Sequence, residues 1–174
     1  MRRREFIAGL GSAAAWPLVA RAQRGERVQR VGVLLAYDEN DTPAKTSLSA
    51  FTQALAELGW IDGRNLRMDV RYEGDNVDRM EALAKELVDL QPDVILAYTT
   101  PATAAVQRVT RAIPIVFVFV SDPVGAGFVA SLPRPGGNIT GFINVEASMG
   151  GKWLQLLIEI APGVKRVAIV YNPN

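Results

Sequence analysis

Residues 94–120 read VILAYTTPATAAVQRVTRAIPIVFVFV, and the alternation of patterns within them decides the fold. Val94-Ile95-Leu96-Ala97 is a short continuous apolar run, the composition of a strand buried on both faces. Thr99-Thr100-Pro101 follows, a hydroxyl before a proline that suits the first turn of a helix. Residues 102–109 read as that helix, and 115–120, all β-branched or aromatic, as a second strand. Strand, helix and strand in this order form a right-handed crossover between parallel strands.

The same alternation extends outward. Val31-Gly32-Val33-Leu34-Leu35-Ala36 is another central strand, preceded by a polar lead-in from Gln23. Leu48, Phe51, Leu55 and Leu58 recur at helical spacing up to Gly59. Leu66, Met68, Val70 and Tyr72 alternate with Arg67, Asp69 and Arg71, as in an edge strand with one wet face. Val77, Met80, Leu83, Ala84, Leu87 and Val88 make a second amphipathic helix that ends near Gln91-Pro92. Downstream, the patterns predict a short helix over 124–132, a break at Pro133-Arg134-Pro135-Gly136-Gly137, and a fifth strand over 139–143. A helix over 153–160 and a buried strand over 166–171 complete the series. The class is α/β, a doubly wound and mostly parallel sheet.

Composition narrows the chemistry. Among 174 residues there is neither cysteine nor histidine, which removes thiol and imidazole nucleophiles, disulfides and the usual zinc and haem ligands. No catalytic residue, metal or cofactor is expected. With residues 1–22 set aside, 15 basic and 17 acidic residues remain, without a basic stripe, so nucleic acid is excluded as a partner.

Residues 1–22 have the grammar of an export signal: Arg2-Arg3-Arg4, a mild apolar run over 7–20, and Ala20-Arg21-Ala22 as a small-x-small cleavage pattern before Gln23. The run is too short to span a bilayer core of roughly 30 Å as a helix. Arg3-Arg4 followed by x-Phe-Ile resembles the twin-arginine signal. Gly9-Leu10-Gly11-Ser12-Ala13-Ala14 matches a dinucleotide-binding pattern, but no strand precedes it, so it is read as signal composition.

Three strands end in one chemical phrase: Asp41-Thr42-Pro43, Thr99-Thr100-Pro101 and Ser121-Asp122-Pro123. Each predicts a capped helix start at the carboxyl edge of the sheet, where open α/β folds hold ligands and helix N–H groups receive anions. Tyr37, Asp38 and Tyr98 leave their strands toward the same crevice, and aromatic walls with an acidic group suit a small zwitterion such as an amino acid.

Longer strings carry a family resemblance. They are Ala54-Leu55-Ala56-Glu57-Leu58-Gly59-Trp60 with Gly63-Arg64-Asn65-Leu66, Ile113-Pro114-Ile115-Val116-Phe117, Ser121-Asp122-Pro123-Val124-Gly125-Ala126-Gly127, Pro135-Gly136-Gly137-Asn138-Ile139-Thr140-Gly141, and Ala161-Pro162-Gly163-Val164-Lys165-Arg166-Val167. Together they resemble the type I periplasmic solute-binding proteins of ABC transporters, in the branch that includes tryptophan and tyrosine binders. The resemblance implies a flavodoxin-like lobe over 23–143. Residues 144–174 would hold the crossover helix and first strand of a second lobe, most of which is missing. It implies a small-molecule solute taken from the first, third and fourth strand ends, hence Tyr37, Asp38, Thr99, Thr100, Ser121 and Asp122. It further implies periplasmic residence after cleavage at Ala22, an export machinery that reads the signal, and a permease partner.

Three other readings compete. An exported enzyme would have to work through carboxylates such as Asp38 and Asp122, with no acid/base pair at fixed spacing. A receiver-like signalling module would need an aspartate where Tyr98-Thr99-Thr100 stands, and an export signal contradicts it. A degenerate lobe that binds nothing is the third.

Overall fold

The computed structural model describes residues 27–74, 79–145 and 148–168. Among these residues five strands and four helices follow one another, alternating except that β5 comes directly after β4: β1 (Gln29–Leu35), α1 (Thr42–Glu57), β2 (Leu66–Tyr72), α2 (Arg79–Asp89), β3 (Val94–Tyr98), α3 (Thr100–Val109), β4 (Ile115–Val120), β5 (Ile139–Ile143) and α4 (Met149–Ile160). All pairings are parallel, in the order β2-β1-β3-β4-β5. None of the described helices is long and apolar enough to cross a membrane.

The sheet is covered unequally on its two faces. Leu34, Ile95, Ala97, Ile115, Phe117 and Ile139 point to one side and pack under Met80, Leu83, Ala84 and Leu87 of α2 and Ala102, Ala105 and Val106 of α3. Val31, Val33, Leu35, Leu66 and Tyr98 point to the other, where Leu48, Phe51 and Leu55 of α1 meet them. Leu58 belongs to the same sequence period, but it is exposed, because α1 ends at it. Gly59, at φ +87°, closes the helix with Trp60 N–H on the Leu55 carbonyl and its own N–H on that of Ala56.

β2 is an edge strand, as its alternation predicts, but its polar face is paired rather than simply wet. Arg30 of β1 donates to Asp69 at 2.6 Å, and Arg71 to Glu86 of α2 at 2.9 Å. Arg30 also donates to the Leu90 carbonyl, and its backbone N–H to Asp93. The hydrogen bond from Arg30 holds the Asp69 carboxyl below the usual carboxylate range.

Three expectations need correction or qualification. Residues 124–132 do not form a helix: Ala126, Gly127 and Phe128 N–H bond back to Asp122, Val124 and Pro123, and then Gly127 turns to φ +71° and the chain leaves. Two glycines in three residues offer too little to continue a helix. Residues 166–168 are exposed and in no strand, because no neighbouring strand stands beside them among the described residues; 169–171 lie outside those residues, as does Val77. The helix expected over 153–160 begins earlier, at Met149, and buries none of its residues.

The Gly-Gly-Asn turn into β5 is explained by its contacts. Gly136 sits at φ +82°, Asn138 donates to the Ile113 carbonyl at 2.7 Å, and Ile115 N–H bonds Asn138 O. Gly141 lies against the carbonyl and ring of Phe117, where a Cβ would collide with backbone. Gly141→Ala is therefore expected to cost about 2–3 kcal/mol in urea unfolding, an overpacking penalty; a cost under about 0.5 kcal/mol would refute this packing account.

A second outcome follows from Asp69. Because its folded carboxyl titrates below the unfolded value of about 3.9, its contribution is complete above that pH and is lost as pH falls through the folded value. The gap in urea midpoint between the native chain and Asp69→Asn should be constant from about pH 7 to 5 and should close below about pH 4. A gap that persists unchanged at pH 2 would refute the pairing.

Candidate functional site

Strand order 2-1-3-4-5 places the topological switch between β1 and β3: α1 leaves β1 on one face of the sheet, and α3 leaves β3 on the other. In open α/β sheets the crevice forms there, at the carboxyl ends. All six expected site residues lie on this edge. Tyr37 and Asp38 follow β1, Thr99 and Thr100 follow β3, and Ser121 and Asp122 follow β4. Tyr37 and Thr99 are half-buried, and the other four are exposed.

The expected caps are absent from α1 and α3. Asp41 precedes α1, but its carboxylate accepts from Asp38 N–H at 3.0 Å, while Asp38 accepts from Asn40 N–H at 2.8 Å, closing a tight acidic turn. Thr99 precedes α3 and makes no side-chain cap bond. Only Asp122 bonds as a cap does, accepting from Gly125 N–H at 2.8 Å, and no helix follows it. The α1 and α3 starts thus lack the side-chain acceptor that ordinarily occupies a helix N-terminus.

Thr99 is unusual in two ways. Its backbone, at φ 86° and ψ 166°, occupies a region used almost only by glycine. It is pinned there by its N–H on the Val118 carbonyl at 2.9 Å, and by both the N–H and the hydroxyl of Thr103 on its own carbonyl. Its Oγ1 is buried with no hydrogen-bond partner among the described residues. A buried hydroxyl left unpaired costs stability, and a β-branched residue in this conformation costs more.

Beside it stands an aromatic row. The Tyr37 and Tyr98 rings meet edge to face at 5.7 Å, and Phe119 stacks on Tyr98 at 5.2 Å with 17° between planes. The Tyr98 hydroxyl lies 3.2 Å from Ser47 Oγ of α1. Burial, and then the nearby Tyr98 and Asp41, raise the Tyr37 phenol above its usual range, so it stays a neutral donor at physiological pH. The sequence singles out both tyrosines but not Phe119, which looks like one more strand residue in IVFVFV.

At the opposite, amino edge of the strands lies a hollow of about 270 Å³ beside Leu55, Trp60, Leu66 and Val94. Its charged lining, Arg30 and Asp93, is already bonded within the fold, so it offers a ligand little.

Residues 35–174 match the sequence profile of the family described as ABC transporter substrate binding protein. The chain belongs to that family. Its members are binding proteins rather than enzymes. A curated relative, the tyrosine-binding protein of Clostridioides difficile strain R20291, is 33% identical over 127 residues, 71% of this chain and 35% of the relative. A conserved domain protein from Vibrio cholerae superposes with a TM-score of 0.74 at 32% identity, covering 84% of this chain and 48% of that one. An ABC domain in complex with L-Trp from Streptococcus pneumonia superposes with a TM-score of 0.69 at 25% identity, covering 79% and 45%. The chain thus spans less than half the length of each of these relatives.

Proposed function

We propose that this chain is a solute-recognising lobe of an ABC importer's binding protein and takes an amino acid or similar small carboxylate at its carboxyl edge. The observation that carries this reading is Thr99: a strained residue at the switch point, with an unpaired buried hydroxyl, at the uncapped start of α3. Strain retained at a crevice is a recognised mark of a ligand site. On this reading Thr99 and Thr100 receive the carboxylate, aided by the partial positive charge of the helix end. Asp38 or Asp122 meets an ammonium group, Ser121 supplies a hydroxyl, and Tyr37 forms a wall. The tyrosine-binding relative and the L-Trp complex support an amino acid as the solute.

The enzyme alternative loses ground to the family itself. The family's members are binding proteins, and the one turn N–H that Asp38 and Asp122 each hold orients the carboxylate while leaving lone pairs for an ammonium. The remaining features complete the proposal: export through the signal at 1–22, which lies outside the described residues, periplasmic residence, a second lobe beginning after residue 143, and delivery to a permease.

Two arms of one experiment test the site. Thr99→Val keeps shape and removes the hydroxyl, so stability should hold or rise by about 1 kcal/mol, since no hydrogen bond is lost. Affinity for amino acids, followed by NMR titration, should fall about tenfold, the scale of one hydrogen bond to a charged group. If no amino acid or small carboxylate perturbs the native chain at millimolar concentration, the binding reading fails. If Thr99→Val binds as well as the native chain, the carboxylate is held elsewhere.

A further inference from the structure

Phe119 occupies a position that the rest of β4 does not explain. Val118 pairs with Phe142 and Val120 with Ile143, so Phe119 is the extra residue of a β-bulge. Its φ is +62°, the left-handed value for which such bulges ordinarily use glycine. A phenylalanine in that conformation costs free energy, and its ring recovers little by burial, being 52% exposed.

The bulge re-aims the ring. Along β4, Ile115 and Phe117 enter the core under α2 and α3, while Val118 faces the α1 side. Regular alternation would send Phe119 back toward Phe117. Instead it lies over Tyr98, which belongs to the α1 side and reaches Ser47. One face of Phe119 is stacked on Tyr98 within a row begun by Tyr37, and the ring remains half open to solvent at the carboxyl edge.

Resting on the solute-binding reading above, we propose that Phe119 is a specificity-determining residue whose open face takes a flat conjugated ring of the solute. A third ring extends the Tyr98–Phe119 stack, with the quadrupole complementarity of offset aromatic pairs; an aliphatic side chain fills the same space without it. The placement fits an aromatic α-amino acid. Thr99 and Phe119 each stand one residue beyond the Tyr98–Val118 pair of neighbouring strands, which lie about 4.8 Å apart, the scale that separates the carboxylate of such a molecule from its ring.

The test is a pair of NMR titrations of the full 174-residue chain with L-phenylalanine and L-leucine. The native chain should prefer L-phenylalanine by about five- to tenfold, the range of one stacked pair. In Phe119→Gly, which accepts the same φ, the ratio should collapse toward one. Phe119→Leu, which keeps apolar bulk over Tyr98, should collapse it likewise, separating loss of the ring from any loss of folding. Retention of the preference in either folded variant, or its absence from the native chain, overturns the proposal while leaving solute binding intact. Failure of the native chain to bind either amino acid overturns this proposal, and the solute-binding reading falls with it only when the wider set of amino acids and small carboxylates also leaves the chain unperturbed.

Discussion

The carboxyl edge depends on β3 pairing with β1 on the side away from β2. With Val31 opposite Val94 and Leu35 opposite Tyr98, the two strands end level, and their crossover helices depart to opposite faces. Among the described residues no connection then covers the gap between the strand ends. Backbone that would elsewhere be roofed by a loop is left for side chains to line, which is why Tyr37, Thr99 and the rings beside them can form one surface. Had β3 paired outside β2, that gap would not exist.

Two residues on this edge, Thr99 and Phe119, hold left-handed backbone that their side chains disfavour. They are coupled, since Thr99 N–H bonds the carbonyl of Val118, the residue before Phe119, and Tyr98, the residue before Thr99, stacks on Phe119. Each distortion therefore lies in the other's support. The rigid parts that enforce both are ordinary: the β3–β4 register and the Thr103 bonds to the Thr99 carbonyl. Strain held by such a scaffold needs no ordering when a ligand arrives, and preorganisation of this kind raises affinity by reducing the entropy lost on binding.

Most of the fold was legible because it follows from periodicity. The apolar runs of β1, β3 and β4, the alternation of β2 and the helical face of α1 each report burial, and burial is what sequence pattern encodes. What was not legible depends on backbone angles. The phrase at Thr99-Thr100-Pro101 marked the right place for a helix start but predicted a cap, whereas the hydroxyl is left without a partner. The bulge at Phe119 leaves no trace in IVFVFV, since only a glycine there would have signalled it. Gly125 and Gly127 did signal, and were outweighed by the apolar residues around them in the expectation of a helix over 124–132.

The strings that carry the family resemblance prove to be turn chemistry in large part. Leu58-Gly59-Trp60 closes α1, Asn65 bonds both Ile61 N–H and the Gly59 carbonyl, Asp122 with Gly125 forms a turn, and Asn138 with Gly141 seats β5 against β4. These residues specify where strands begin and end, and so where the edge lies. Apart from Ser121 and Asp122, which the proposed reading also sets against the solute, they do not specify what the edge selects. On the proposed reading selection falls to residues between the strings, Thr99 and Phe119 above all, whose identities can change without disturbing a single turn. A family can then keep one scaffold and vary its solute, because most of the residues that build the crevice and those that discriminate its contents occupy different positions.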